Sequence, residues 1–198
     1  FQGGTQPFQK NVSGAYTYQG DDGRRFVQVE QSVSIASTEN GKQIFQDIPV
    51  NENTFYTYAS NTNQSVPTAQ ITAGQVIDQE IYDAFYPEDL TVTFNSASDF
   101  SVTESSTGRV VAASLPYSAN SPIVVNGVQF EITGTPVAGD DFFVASSEKQ
   151  GVLTTVEKLV YGLRNFNNSA SGREVFSNVV NSAIGNLDSA ETSILEAR

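Results

Sequence analysis

The chain has 198 residues, 38% of them hydrophobic, and this length allows one large domain or two small domains with a real core. It contains no Cys and no His, which excludes disulfides, thiolate or imidazole metal sites and a Ser-His-Asp triad. The net charge of −12 disfavours nucleic acid and anionic membranes as partners, and the sequence has no run of about 18 apolar residues that could span a membrane.

The first 46 residues predict a β-hairpin. Residues 1–14 look irregular because they contain several Gly and Pro. Residues 15–19 and 25–30 alternate apolar and polar side chains on either side of the turn Gly20-Asp21-Asp22-Gly23, which is typical of paired strands. Residues 32–36 continue the extended pattern, and residues 42–46 predict a further short strand. The Asp21-Asp22 pair fits a turn for backbone reasons, and cation binding is the alternative.

The middle of the chain predicts antiparallel strands. Residues 51–75 are rich in Asn, Thr, Ser and Gln and predict a long loop with a short strand or two. Short alternating segments follow, at residues 90–94, 100–104, 109–114, 123–125, 128–133 and 141–145. Turn signals such as Asn126-Gly127 separate them, and this spacing indicates a sandwich or barrel rather than βαβ units.

Two helices are predicted at the end of the chain. Residues 147–150 fit a capping box, and apolar residues follow at spacings of 4, 3 and 4, which indicates core positions of a helical hairpin: Val152, Val156, Leu159 and Leu163. After a break at residues 165–170, a second capping box at residues 171–174 begins a final helix of about 27 residues.

The final helix carries an uninterrupted heptad pattern. Its apolar residues follow one another at spacings of 4, 3, 4, 3 and 4: Phe176, Val180, Ala183, Leu187, Ala190 and Ile194. This period predicts packing along another helix. Because the pattern is nearly three turns longer than that of the first helix, we expect part of it to meet a segment outside this chain or another subunit. It reaches Arg198 with neither a Gly cap nor a Pro, which suggests a piece of a longer protein.

The charge distribution predicts two domains. Residues 47–146 hold twelve acids and one base, whereas residues 1–46 are neutral and residues 147–198 carry a net charge of −1. We therefore expect a helical and β-hairpin domain made of residues 1–46 and 147–198, with an acidic outer β domain of residues 47–146 inserted in it. An ordinary solvated acidic surface is the simpler alternative.

No pattern in the sequence indicates catalysis, a cofactor or a metal site. The pairs Glu88-Asp89 and Asp140-Asp141 adjoin turn signals, so we interpret them as solvated turn residues rather than a hydrolytic pair. The acidic run at residues 78–89 is interleaved with apolar side chains. It predicts a turn or short helix with a buried apolar side, and a docking patch is the alternative. No phosphate-binding Gly loop is present.

Four segments in chain order resemble one family. Residues 15–23 (AYTYQGDDG) closely resemble the hairpin of the flagellar hook–filament junction proteins (hook-associated protein 3), which are relatives of flagellin. Residues 1–8 are similar to the stretch that leads into this hairpin, residues 132–142 to a motif that closes the outer domain, and residues 186–198 to the returning helix. The residues that carry the hairpin motif are Tyr18, Gln19, Gly20, Asp21, Asp22 and Gly23.

The residues and the resemblance together lead us to expect an α+β fold, with a helical and β-hairpin domain and an inserted antiparallel β sandwich or barrel. The resemblance implies a structural subunit without catalytic activity or cofactor. It would be secreted through the flagellar export apparatus and located in the bacterial flagellum, where it connects the hook to the flagellin filament.

The implied partners are another hook-associated junction protein, flagellin, copies of the chain in a ring, and an export chaperone. The 198-residue chain itself is expected to be monomeric. A flagellin filament subunit is one alternative function. A surface carbohydrate- or host-binding module is another, and it predicts an exposed aromatic cluster made of Tyr56, Tyr58, Tyr82, Phe85 and Tyr86.

Overall fold

The computed structural model describes residues 6–10, 16–20 and 23–197. The strands in these ranges are β1 (Phe8–Lys10), β2 (Tyr16–Tyr18), β3 (Phe26–Glu30), β4 (Val33–Ala36), β5 (Pro49–Ala59), β6 (Gln70–Ile71), β7 (Gln75–Val76), β8 (Leu90–Ser96), β9 (Asp99–Glu104), β10 (Val110–Pro116), β11 (Ile123–Val125), β12 (Val128–Phe130), β13 (Ile132–Thr133) and β14 (Asp141–Lys149). The helices are α1 (Gly41–Phe45), α2 (Gln79–Phe85), α3 (Val152–Arg164) and α4 (Ala170–Glu196). The fold is α+β, as predicted.

A five-stranded antiparallel sheet forms the larger layer of the middle region. Its strand order is β10-β9-β8-β14-β5. Successive side chains of a strand point to opposite faces, and burial alternates accordingly along β8 and β9. On the inward face the ring of Phe94 lies 5.6 Å from that of Phe100 and 5.7 Å from that of Phe142, measured between centroids. This aromatic contact holds three neighbouring strands together.

The other strands of the middle region cover the inward face. A three-stranded sheet has the order β11-β12-β7, and β13 pairs with β6. Val128, Phe130 and Ile132 are fully buried, and they belong to the same core cluster as the five-stranded sheet. The two layers therefore share one core.

The turn between β11 and β12 is the predicted Asn126-Gly127 turn. Both residues have positive φ, 44° and 79°, which suits a tight hairpin turn. A Cβ atom added at Gly127 would lie 2.4 Å from the carbonyl oxygen of Asp78. Asp78 caps α2 by accepting a hydrogen bond from the backbone N–H of Ile81 at 3.0 Å. The turn is therefore fitted closely against the start of α2.

The two long helices pack on each other and on the sheet. Residues 165–169 join α3 to α4, and such a short link places neighbouring helices antiparallel. The helices approach closely at Gly162, where an added Cβ would lie 3.0 Å from the side chain of Val179. Helix α4 also contacts β5, β7 and α1, and α3 contacts β7.

The strand pairing near the start of the chain differs from the prediction. Strand β2 pairs with β1, in a segment predicted to be irregular, and β3 pairs with β4. The predicted pairing of residues 15–19 with residues 25–30 is therefore wrong. Only two residues, Gln31 and Ser32, separate β3 from β4, so this hairpin closes a shorter loop than the predicted one. Asp21 and Asp22 lie outside the described residues.

Two further segments correct the sequence-based expectations. Residues 42–46 were predicted as a strand, but residues 41–45 form α1. Asn40 caps this helix by accepting a hydrogen bond from the N–H of Lys42 at 2.8 Å. The loop predicted for residues 51–75 is replaced at its start by the eleven-residue strand β5. The outward positions of β5 are polar, whereas its inward face includes the buried side chain of Phe55.

Neither predicted capping box caps its helix. Residues 147–149 belong to β14, and α3 begins after Gly151 without a side-chain cap. Helix α4 begins two residues earlier than predicted, because Ser169 accepts the hydrogen bond from the N–H of Gly172 at 2.9 Å. The length of α4, 27 residues, agrees with the prediction.

Gly127→Ala should destabilise the chain more than Gly108→Ala. Both residues have positive φ, but no atom lies within 4 Å of a Cβ at Gly108. We expect a loss of about 1 kcal/mol for Gly108→Ala from backbone strain alone, and about 3 kcal/mol for Gly127→Ala, where a clash with α2 is added. Urea unfolding of both variants measures this difference. Equal losses would show that the turn is not fitted against α2.

Candidate helix-packing surface

The heptad residues of α4 fall into two columns with different surroundings. Phe176, Ala183 and Ala190 form the inner column, spaced by seven residues; Ala183 and Ala190 are buried and Phe176 is half-buried. The outer column is Val180, Leu187 and Ile194, of which Val180 is half-buried while Leu187 and Ile194 are 42% and 44% exposed. The predicted pattern thus has one column facing the protein and one facing outward.

The inner face of α4 is held by several contacts. Val179 and Asn186 are buried beside the inner column, so the buried residues of α4 are spaced by 4, 3 and 4. At the start of the helix the ring of Phe176 meets that of Phe166 edge to face, with 5.1 Å between centroids. Further along, α4 contacts both β5 and α1. These contacts fix which side of the helix faces outward.

Other exposed apolar side chains extend the outer column. On α4, Ile184 and Leu195 are 53% and 59% exposed. On α3, an exposed row with spacings of 4 and 3 consists of Val156, Val160 and Leu163. We call the exposed apolar residues of the two helices, together with Val180, the helix-packing surface. The sequence did not single out Ile184, Leu195 or Val160, because these residues lie off the heptad spacing.

The predicted core positions of α3 are partly wrong. Val156 and Leu163 are exposed, and the buried residues of α3 are Thr155, Lys158, Tyr161 and Gly162. The surface beneath α3 is polar where Thr54 and Gln150 lie, since both are buried there. A polar stripe of the helix therefore faces inward, and its aliphatic stripe faces outward.

The hairpin-motif residues within the described ranges lie at the start of the chain. The ring of Tyr18 packs against that of Phe8, with 5.4 Å between centroids, and the N–H of Gln19 donates to the carbonyl of Pro7 at 2.8 Å. A Cβ at Gly20 would lie only 2.1 Å from the hydroxyl of Tyr18. These contacts are local to the β1–β2 segment, and the structure does not bring Tyr18 or Gly20 to the helix-packing surface.

In each candidate acidic pair, a carboxylate accepts hydrogen bonds from backbone N–H groups or from a hydroxyl. Glu88 accepts hydrogen bonds from the hydroxyl and the N–H of Ser106, which holds the pKa of its carboxyl below the usual value. Asp140 is fully buried and accepts from the N–H groups of Gln64 and Val137, at 2.7 and 3.1 Å. Each carboxylate stabilises a loop or a turn. The expectation that Asp140 is solvated is wrong, because backbone N–H groups replace water as its hydrogen-bond donors.

The aromatic cluster that a sugar-binding module predicts is not assembled. Tyr82 is buried; its hydroxyl donates to the carbonyl of Thr54 at 2.6 Å, and burial raises its pKa to about 12. Tyr56 is 47% exposed, but its ring stacks on that of Tyr58 with 5.8 Å between centroids. The five aromatic side chains therefore do not form one exposed platform.

The described part of the chain contains neither a cluster of metal-ligating side chains nor a membrane-spanning helix. Over those residues, no three acidic side chains lie close enough together to hold a metal ion. None of the helices in the same ranges has both the length and the apolar composition required to cross a bilayer.

Comparison with known proteins gives matches among solved structures. Neither the protein-family models nor the curated proteins contain a match. The chain is similar to the crystal structure of FlgL from Xanthomonas campestris, with 23% identity and a TM-score of 0.47, over 98% of this chain and 60% of that one. It is also similar to the flagellar junction protein FlgL from Legionella pneumophila, with 27% identity and a TM-score of 0.47, over 97% and 61% of the two chains.

A third similar structure is the flagellar hook junction protein FlgK from Burkholderia pseudomallei, with 18% identity and a TM-score of 0.39, over 55% of this chain and 20% of that one. The chain spans about three fifths of the length of the FlgL chains that it matches.

Residues of the helix-packing surface should contribute little to the stability of the isolated chain. We expect Leu187→Gln to change the free energy of unfolding by less than about 0.5 kcal/mol, because the side chain is already solvated. Ala183→Leu, in the inner column of the same helix, should cost about 1–3 kcal/mol by overpacking. Urea unfolding measures both values. A large loss for Leu187→Gln would mean that the outer column is part of this chain's own core.

Proposed function

We propose that the full-length protein is a structural subunit of the bacterial flagellum that joins the hook to the flagellin filament. The observation that carries this proposal is the exposed outer column of α4, a helix of 27 residues or about 40 Å. A helix of this length with a solvated heptad column is suited to packing along further helices. The order of the family motifs in the sequence supports the same function.

The energetics of the helix-packing surface favour a helical partner. Leu187 and Ile194 are less than half exposed, so burial of their remaining surface would stabilise an interface by about 1 kcal/mol each, a fraction of the value for a fully exposed side chain. The surface holds several such side chains on both long helices, and neighbouring aliphatic residues on a helix are three or four positions apart. An apolar helix laid along α4 would cover the exposed residues of its outer column.

The charge distribution supports a division of roles along the chain. In our proposal residues 1–46 and 147–198 form the packing domain, where a nearly neutral surface allows subunits to approach. Residues 47–146, with a net charge of −11, form an outer domain that faces solvent. The proposed partners are copies of the chain in a ring, another hook-associated junction protein, flagellin and an export chaperone. The proposed role requires no catalysis.

Deletion of the full-length gene should leave hooks without filaments. Without the junction subunit, flagellin has no platform on which to polymerise, so it should be shed into the medium. Electron microscopy of the cells and immunoblotting of the culture supernatant measure the two effects. Cells with normal filaments would contradict the junction role. Cells that lack filaments and also lack secreted flagellin would instead indicate that the protein is flagellin itself.

Charge placed on the helix-packing surface should abolish this function without unfolding the protein. We expect full-length Leu187→Asp/Ile194→Asp to fail to restore filaments in the deletion strain, because a carboxylate opposes burial against a helix. Val66→Asp is the matched control, since Val66 is 90% exposed and lies in the proposed outer domain. It should restore filaments fully. Motility and filament counts measure restoration, and restoration by the double variant would refute the proposed role of this surface.

A further inference from the structure

A buried lysine lies between α3 and the sheet. Lys158, on α3, is 8% exposed. Its Nζ donates a hydrogen bond to Oγ1 of Thr54 on β5, at 2.7 Å, and lies 4.1 Å from the centroid of the Phe55 ring. Burial of a lysine head group is costly unless it is paired, so this position calls for an explanation.

Lys158 is the end of a buried hydrogen-bond chain that connects four parts of the fold. Oγ1 of Thr54 donates to Gln150, whose Nε2 donates to Oγ1 of Thr155, both at 3.0 Å. Nδ2 of Asn186, on α4, donates to the same Thr155 oxygen at 3.0 Å. This series of hydrogen bonds thus runs from β5 through the segment after β14 to α3 and α4. It fixes the position of both long helices on the sheet.

Among the described residues, no carboxylate forms an ion pair with the Nζ atom of Lys158. Nζ has one acceptor among the described residues, Thr54, although a protonated amine carries three N–H donors. A cavity of about 60 Å³ borders Lys158, with room for about two water molecules. It is also lined by Gln75, whose Oε1 is buried and has no partner in the described part of the chain.

Few charged groups lie on the described elements around Lys158, and two of the three carboxylates interact with other residues. On β5, Glu52 lines the same cavity. On α2, Asp83 accepts hydrogen bonds from Asn53 and Gln79, and on α3, Glu157 pairs with Lys10 at 2.7 Å. The parts of α4 and β7 at the cavity contribute neutral side chains. No ion pair therefore offsets the burial of the ammonium in the described structure.

Burial lowers the pKa of Lys158 to about 7, from an ordinary value of about 10.4. The chain contains no His, so no other side chain titrates near neutrality at its ordinary pKa. A pH dependence of the fold between pH 6 and 9 that disappears when Lys158 is replaced would therefore be assigned to this residue.

We propose that Lys158 makes the seating of α3 and α4 on β5 depend on protonation. With a neutral Nζ the hydrogen bond to Thr54 is kept and the interface needs no counter-ion. A proton adds a charge whose direct contacts are the Thr54 hydroxyl and the face of the Phe55 ring, so water must enter the neighbouring cavity to solvate it, and the two helices loosen. This inference concerns the chain itself and does not rest on the proposed flagellar role.

The sign of the effect follows from the two pKa values. Between about pH 7 and pH 10 the unfolded chain holds a proton on Lys158 that the folded chain has released. Stability therefore rises with pH across this window, and the penalty is fully present below pH 7. A lysine that is exposed in the folded state does not make the stability rise with pH in this way.

Titration of the lysines by NMR tests the proposal directly in the unaltered chain. There are only four lysines, Lys10, Lys42, Lys149 and Lys158, so ¹³Cε labelling gives four resolvable signals. We expect one signal to titrate near pH 7 and three above pH 9.5. Thr54→Val, which removes the acceptor for Nζ, should lower the first value further. Titration of all four signals above pH 9.5 would overturn the proposal.

Urea unfolding between pH 6 and 9 tests the effect on stability. The midpoint of the wild-type chain should rise by about 1 M across this range. Lys158→Met, of similar shape, should remove most of this rise, whereas Lys149→Met, at an exposed position on β14, should retain it. The same rise in Lys158→Met would refute the assignment to Lys158. If Lys158→Met does not fold, the lysine titration decides.

Amide hydrogen exchange tests whether the response is local. After correction for intrinsic rates, amides of α3 and α4 should lose protection at pH 6 relative to pH 9, and amides of β8 and β9 should change less. Equal loss over the whole chain would mean that protonation acts on global stability, and it would overturn the proposed loosening of the helices.

Discussion

The pairing of β5 with β14 is the interaction on which the rest of the structure depends. The register runs from Phe142 opposite Ala59 to Lys149 opposite Pro49. Strand β14 also pairs with β8 and so joins β5 to the rest of the five-stranded sheet. Because α3 begins shortly after β14 ends, the same pairing places the long helices against β5. Residues that lie 83 to 100 positions apart in the sequence thus pair and connect the acidic middle to the helical end.

The sequence predicted the elements whose pattern is local. Strands β8, β9 and β12 were found because one face of each is buried, so apolar and polar residues alternate. Strand β5 was missed because its outward positions are polar and its partner lies far along the chain. The pairing of β1 with β2 and of β3 with β4 was also missed, because alternation alone made β2 and β3 look like the two strands of one hairpin, whereas each pairs with another strand.

The helices show a similar limit. Heptad spacing predicted the length of α4, but it could not say which column faces inward, since both columns have the same period. The neighbours decide: α3, β5 and α1 cover Ala183 and Ala190 and leave Leu187 in solvent. Burial of Lys158 could not be predicted from α3 alone. Lysine is ordinarily exposed, and its acceptor, Thr54, lies 104 positions away.

The close approach of the helices at Gly162 has an evolutionary consequence. A methyl group there would meet Val179 at 3.0 Å and the amide oxygen of Gln75 at 3.1 Å. Helix α3, helix α4 and strand β7 can therefore meet at this point because residue 162 has no side chain. A larger residue at 162 requires a smaller one at 179, or a helix displaced from the sheet. In related sequences the two positions should therefore covary, and an alignment in which they vary independently would mean that the relatives space these helices differently.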